Sequence, residues 1–304
     1  MNNSSSYCHL HIHDEFSQLD GLGKAEIYVK RAKELGFRFL GISNHGNVDG
    51  VIKFQKACEK EKIKPIIGCE MYIVPNAKVK KKEKRRHITL LVKDQEGWRN
   101  LLQMLTYANL EGFYSRPRID YDCFLGHLDG LIVLTGCAGS FLMEGYKTEE
   151  AEEPMGVGLF WQINDRIGED LYLEIMPHCI DAQRPVNEVC KNIHDKYDIP
   201  LVATNDCHYV NEDEWETHEV LLAIQRKAKW DDPNRWKFGF KGLHLRTADE
   251  MFREFRRQDI FSNSEVRQAM LNTLEVAEKC CGFRIEKQDI WLPEVGGDAD
   301  KLLM

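Results

Sequence analysis

Residues 39–74 read FLGISNHGNVDGVIKFQKACEKEKIKPIIGCEMYIV. Both ends are short apolar runs rich in β-branched residues, and the middle has helical periodicity. The stretch predicts a strand over 39–44, a helix over 50–62 and a second strand over 65–74. Such a strand–helix–strand unit joins parallel strands by a right-handed crossover.

The alternation continues outward in both directions. Further strands are expected at 7–13, 87–93, 131–136, 171–176 and 201–205. Further helices are expected at 24–35, 96–110, 156–167, 182–197 and 213–227. Seven strands alternating with helices argue for a parallel sheet that closes. The expected fold is therefore α/β, a distorted seven-stranded (β/α)7 barrel related to the TIM barrel. An amphipathic helix from Ser264 to Cys281 ends the periodic part of the chain. Residues 1–285 read as one domain and 286–304, punctuated by Pro and Gly, as a linker-like tail.

The chain has 304 residues and 43% hydrophobic content, enough for one substantial core. No run approaches a membrane span, and the first residues lack the basic and apolar regions of a secretory signal, which reads as a cytoplasmic protein. Ten scattered cysteines without a signal read as reduced thiols, with one or two available as metal ligands. A net charge of -8 argues against a protein that coats nucleic acid, but it is unevenly spread. Residues 78–86, KVKKKEKRR, carry a basic run, while 148–153 and 211–219 are acidic.

In barrels of this kind chemistry sits on loops at the C-terminal ends of strands. His9, His11 and His13 alternate along one strand and are followed by Asp14, Glu15 and Asp20. Imidazoles at i and i+2 can chelate one divalent ion. His45 follows a strand and precedes Gly46; Glu70 lies inside an apolar run, where an unpaired carboxylate is costly enough to call for a cation. Asp206 and His208 again alternate at a strand end. Only His87 breaks the pattern, because it begins its strand.

The segments CHLHIHDEFSQLDG, ISNHGN, KPIIGCEMYIVP, LTGC at 134–137 and ATNDCHY together resemble the polymerase and histidinol phosphatase (PHP) domain. The version they most resemble stands at the N-terminus of bacterial DNA polymerase III alpha subunits, to which GFYSRPRID at 112–120 and DDPNRWKFG at 231–239 are also similar. The resemblance implies nine metal ligands: His11, His13, Asp20, His45, Glu70, His87, Cys137, Asp206 and His208. It implies two to three divalent ions, zinc, manganese or iron. His11, His13, Glu70 and Asp206 hold one; Glu70, His87 and Cys137 a second; Asp20, His45 and His208 a third. Glu70 and Asp206 are the implied catalytic carboxylates, and His9 a supporting histidine. Asn44 departs from the Asp usual in this branch and is expected to orient His45 without a charge.

The implied activity is a metal-dependent phosphoesterase, a 3′–5′ exonuclease on single-stranded DNA 3′ ends, with polymerase domains as partners on the same or another chain. Adjacent cations suit phosphodiester hydrolysis. Arg116 and Arg118 are candidates to hold the DNA backbone, and the basic run is expected on a loop beside His87, contacting phosphates. The alternative is a non-catalytic structural or partner-binding module of a DNA polymerase with structural metals.

Overall fold

Strand β1 (Phe39–Ile42) pairs in parallel with β2 (Lys64–Val74), and the helix α2 (Val51–Glu61) joins them, as residues 39–74 predict. The computed structural model describes residues 6–145 and 155–287. Within them lie α1 (Ala25–Glu34), β3 (Arg86–Val92), α3 (Gln95–Leu110), β4 (Arg118–Asp120), α4 (Tyr121–Leu125) and β5 (Leu131–Leu134). After these come α5 (Met155–Ile167), β6 (Leu171–Ile175), α6 (Arg184–Tyr197), β7 (Leu201–Ala203), α7 (Trp215–Gln225), α8 (Ala248–Arg256) and α9 (Asn263–Cys280). The tail at 288–304 and the acidic stretch at 148–153 lie outside the described residues.

Two expectations are corrected. The sheet is mixed, in the order β1-β2-β3-β5-β6-β7 with β4 beside β2, because β3 runs antiparallel to both its neighbours. The physical reason is the link from β2 to β3, which carries no helix. A parallel return needs a crossover of about a dozen residues or more, usually helical. Secondly, the sheet curls without closing as a full ladder barrel. Residues 7–13 form no regular strand; they span the opening between the two edge strands. Gly41 and Ser43 donate backbone hydrogen bonds to His9 and Ile12 at 2.7 and 2.9 Å, and the segment exchanges bonds with Cys207 on the other side.

Strands alternate their side chains between faces. On the concave face Phe39, Ile66, Leu91, Ile132 and Val202 pack with Val276, Ala277 and Cys280 of α9, which plugs one end. On the same face, further along β2, β3 and β6, stand Glu70, His87, Thr89 and Glu174. The opposite face packs against the surrounding helices in a larger cluster that includes Val29, Phe54, Leu101, Phe160 and Val186. Helix starts are capped where the sequence supplies the groups: Asp94 accepts from Glu96 and Gly97 N–H, and Ser262 with Glu265 forms a capping box on α9.

Candidate metal centre

The antiparallel β3 explains the exception at His87. Reversing that strand brings its first residues to the edge where the parallel strands end, and His87 faces Tyr72 across the ladder. His45 follows β1 and bridges to Glu70; Cys137 follows β5; Asp206 and His208 follow β7; His11, His13 and Asp20 come from the bridging segment and its turn. All nine residues are brought together at one end of the curled sheet.

Three neighbourhoods can be distinguished. His11 Nε2 lies 3.6 Å from Glu70 and 3.3 Å from Asp206, and His13 Nε2 lies 3.5 and 3.1 Å from the same two carboxylates. Glu70 Oε1, His87 Nδ1 and Cys137 Sγ sit 2.9 to 3.3 Å apart. Asp20 is 3.2 Å from His45 and 3.7 Å from His208. Groups of His11, His13 and Glu70, of His45, Glu70 and His87, and of His13, His45 and His208 are compact enough to hold a metal ion. In a further group at His194, Asp195 and Glu265, the two carboxylates already hold the Lys191 ammonium, a cation of the chain's own.

The hydrogen-bond partners of the rings show which nitrogens face inward. His11 Nδ1 donates to Glu174 at 2.7 Å. His13 Nδ1 lies 2.9 Å from Ser17 Oγ, whose own hydroxyl donates to Asn44 Oδ1, so the histidine must donate there too. His13 therefore turns a bare Nε2 lone pair inward, and it faces His11 Nε2 at 3.0 Å, a pair that can share at most one proton. Asp206 Oδ1 has three imidazole nitrogens within 3.5 Å and no aligned hydrogen bond. His45 Nδ1 and Glu70 Oε2 lie 2.6 Å apart, equally unaligned. Imidazole nitrogens and carboxylate oxygens converging in a buried space, several of them without an aligned hydrogen bond, fit a divalent cation that would displace the remaining ring protons.

The electrostatics agree. Burial opposes charge on Glu70 and Asp206, yet His87, His45 and His11 around the former, and His208, His11 and His13 around the latter, hold both well below the usual carboxylate range. Burial likewise opposes charge on His11, but Glu174, Asp206 and Glu70 raise it. Desolvation, with His45 beside it, lowers His13 to about 3. Burial pushes the Cys137 thiol well up, with Glu70 adding to the effect. Asp206 holds a left-handed φ of 48°, a strained conformation of the kind that gathers at functional sites.

His9 sits away from the cluster, its Nε2 2.7 Å from the Arg246 carbonyl. Asn44 is corrected: it makes no bond to the His45 ring. Its oxygen accepts from Ser17 and the Asp14 N–H, and its amide donates to Asp14 Oδ1 at 2.7 Å. It acts on His13 through Ser17, and an Asp there would set a second carboxylate against Asp14. Arg118 is also corrected. It is 1% exposed and donates to the Gly112, Ala77 and Val79 carbonyls and to Glu83, fixing the loop that carries the basic run. Arg86 is buried against Glu144 and the Met143 carbonyl. Lys84, Arg85 and Arg116 line the opening of the cluster.

Sequence reasoning missed Glu174. It is 0% exposed and accepts from His11, from Thr204 Oγ1 at 2.7 Å and from Gly136 N–H at 2.8 Å. The signal was present: an acid inside the apolar run LYLEI, the same pattern that marks Glu70. Gly136 is needed for that contact, with φ of 91° and room for no Cβ, which would stand 2.7 Å from the His87 carbonyl.

The PHP domain family model matches residues 9–178. The DNA polymerase III subunit alpha of Aquifex aeolicus is 37% identical, over 99% of this chain and 26% of the relative; that of Thermus aquaticus is 35% identical, over 92% and 23%. The chain thus spans about a quarter of the length of the curated relatives it matches. A two-domain protein from Bacteroides vulgatus containing a predicted PHP-like metal-dependent phosphoesterase superposes with a TM-score of 0.42 at 15% identity, over 66% of this chain and 52% of that one.

Proposed function

Because this chain belongs to the PHP domain family, we propose that it is a metal-dependent phosphoesterase acting as a 3′–5′ exonuclease on single-stranded DNA ends. Two to three divalent ions are held by His11, His13, Asp20, His45, Glu70, His87, Cys137, Asp206 and His208. The observation that carries this reading is the facing pair of Nε2 atoms of His11 and His13, 3.0 Å apart between two carboxylates held well below their usual range, with Glu70 Oε2 and Asp206 Oδ1 buried without a hydrogen-bond donor.

Divalent ions at such a centre supply Lewis acidity toward phosphate oxygens and lower the pKa of water. The chain's own residues supply position. Glu174 holds His11 at Nδ1 and Ser17 holds His13 at Nδ1, so Nε2 is the atom each ring would present to a metal. Glu70 and Asp206, kept ionised by the surrounding imidazoles, are the catalytic carboxylates. Arg116, at the mouth beside Asp20 and His45, is free to meet a phosphate oxygen. Burial of the ligands excludes bulk water and strengthens each of these interactions.

The test is metal content by mass spectrometry together with release of nucleotides from a 3′-labelled single-stranded oligonucleotide. Bound zinc, manganese or iron with release from the 3′ end is expected; a metal-loaded chain that hydrolyses neither the oligonucleotide nor a simple phosphate ester overturns it. That second outcome supports the other reading, a non-catalytic module of a polymerase.

A further inference from the structure

The cluster opens into a cleft with two arms that share Asp20, His45, Tyr72 and Arg116. One arm, about 320 Å³, runs past Phe16, Gln18, Asn47 and Asp49. The other, about 490 Å³, runs between Lys84, Arg85 and Arg226. Their charges differ. In the first, Arg116 is the one cation and Asp49 an added acid. In the second, four cations meet, and the acid Glu83 is paired with Arg118 at 3.1 Å.

We propose that the cationic arm is the track for the retained strand of a single-stranded nucleic acid, with Lys84, Arg85 and Arg226 on successive backbone phosphates and Arg116 on the phosphate at the cluster. This rests on the phosphoesterase reading. The cations come from three separate segments: the end of the β2–β3 loop, the loop before β4 and the C-terminus of α7. None of the four has a carboxylate partner among the described residues, whereas Arg31, Arg166, Arg184 and Lys191 elsewhere on the surface each do.

Two of the four rest on aromatic faces instead. Arg85 lies 5.9 Å from the Tyr72 ring centre and Arg226 4.6 Å from that of Trp236, which is 45% exposed. Tyr72 is buried and faced by His45, so it holds Arg85 in place, while the exposed Trp236 beside the groove is the ring on which a base can stack as phosphates meet the cations. A monoester brings one phosphate, which Arg116 and the cluster satisfy. The three cations beyond it have work only when the substrate carries further phosphates.

The test is fluorescence anisotropy of a labelled oligothymidylate with a hydrolysis-resistant 3′ linkage, bound to the 304-residue chain with manganese present, across a salt series. The triple variant Lys84→Ser, Arg85→Ser, Arg226→Ser is compared with Lys78→Ser, Lys81→Ser, Lys82→Ser, which removes the same charge from the exposed part of the run. The first is expected to bind about tenfold or more weakly, with a log–log salt slope shallower by about 2, since each single-strand phosphate contact contributes about 0.7. The second is expected to change affinity by less than about twofold, with a nearly unaltered slope. Metal content per chain, measured on both, certifies that the cluster has formed. Equal losses in the two triples, or an unaltered slope in the first, overturn the track. Hydrolysis by the unaltered chain is scored separately: hydrolysis with intact binding by the first triple overturns the track alone, and absent hydrolysis with the binding loss overturns the phosphoesterase reading alone.

Discussion

The concave face of the sheet has two ends, built on the same strands a few residues apart. At one, Phe39, Ile66, Leu91, Ile132 and Val202 close on α9. At the other stand Glu70, His87, Glu174 and Asp206, of which Glu70 and Glu174 are as buried as any core leucine. Burial therefore does not distinguish the ends. What differs is what the buried groups require: the apolar end needs only close packing, and the polar end needs positive charge that the chain supplies in part through its imidazoles.

The sharpest way to break the comparison is at the polar end. Asp206→Ala and His13→Ala are each expected to cut phosphoester turnover by more than about a hundredfold, beyond the usual cost of losing a ligand's support, and to lower metal content while the chain stays folded. His9→Ala, in the same segment but bonded to Arg246, should keep its metal. Equal metal loss in His9→Ala and His13→Ala would mean that the division of these histidines is wrong.

The opposite end should respond in the opposite currency. Leu91→Ala is expected to cost about 2–5 kcal/mol in denaturant unfolding, as for other fully buried leucines, with metal per folded chain unchanged. A parallel fall in metal content would show that the two ends are not independent.

The strands and helices of both ends were largely legible in the sequence, because apolar periodicity reports burial. Residues 39–74 announce their unit, and the His-rich segment announces ligands. Direction was not legible from periodicity, since an antiparallel β3 has the same pattern as a parallel one; the missing helix between β2 and β3 was the available clue. β4 has three residues, too few to show a period. Residues 7–13 read as a strand and instead bridge an opening, where tertiary hydrogen bonding replaces a ladder. Asn44 and Arg118 misled because residue type does not reveal a partner: one bonds Asp14 and Ser17, the other three loop carbonyls. The ligand set itself came from resemblance to a family, and periodicity alone would have left it open.

Smaller effects sharpen the polar end. Glu174→Gln keeps the size of the side chain but cannot accept from His11, Thr89, Thr204 and Gly136 together. A loss in metal affinity of about tenfold is expected by competition with a fluorescent chelator, in the range for groups that support ligands; unaltered affinity would make Glu174 a packing residue. Metal binding at neutral pH should also release protons, because His11 and His45 are raised by their carboxylates and Cys137 by burial. Calorimetry in buffers of different ionisation enthalpy measures this, and affinity should fall as pH drops. Binding without proton release would mean that these groups are already deprotonated or do not ligate.

The smallest expected effect lies at the apolar end, on the helix that plugs it. Glu265 accepts from the Ser262 N–H and pairs with Lys191 at 2.7 Å; burial opposes its charge, but Lys191 and Ser262 lower its pKa to about 2. A carboxylate whose folded pKa is depressed stabilises the fold above its unfolded value, about 4.3, and loses that contribution as pH falls toward 2. Glu265→Ala should therefore cost about 1 kcal/mol at neutral pH, the size of a capping interaction. The difference from the unaltered chain should shrink between about pH 5 and pH 2. Unfolding of metal-free protein in urea at several pH values measures it without interference from the ligand cluster. A difference that persists at low pH would assign the effect to packing of α9 rather than charge, and a loss of metal in this variant at neutral pH would show that the plug holds the polar end in shape as well.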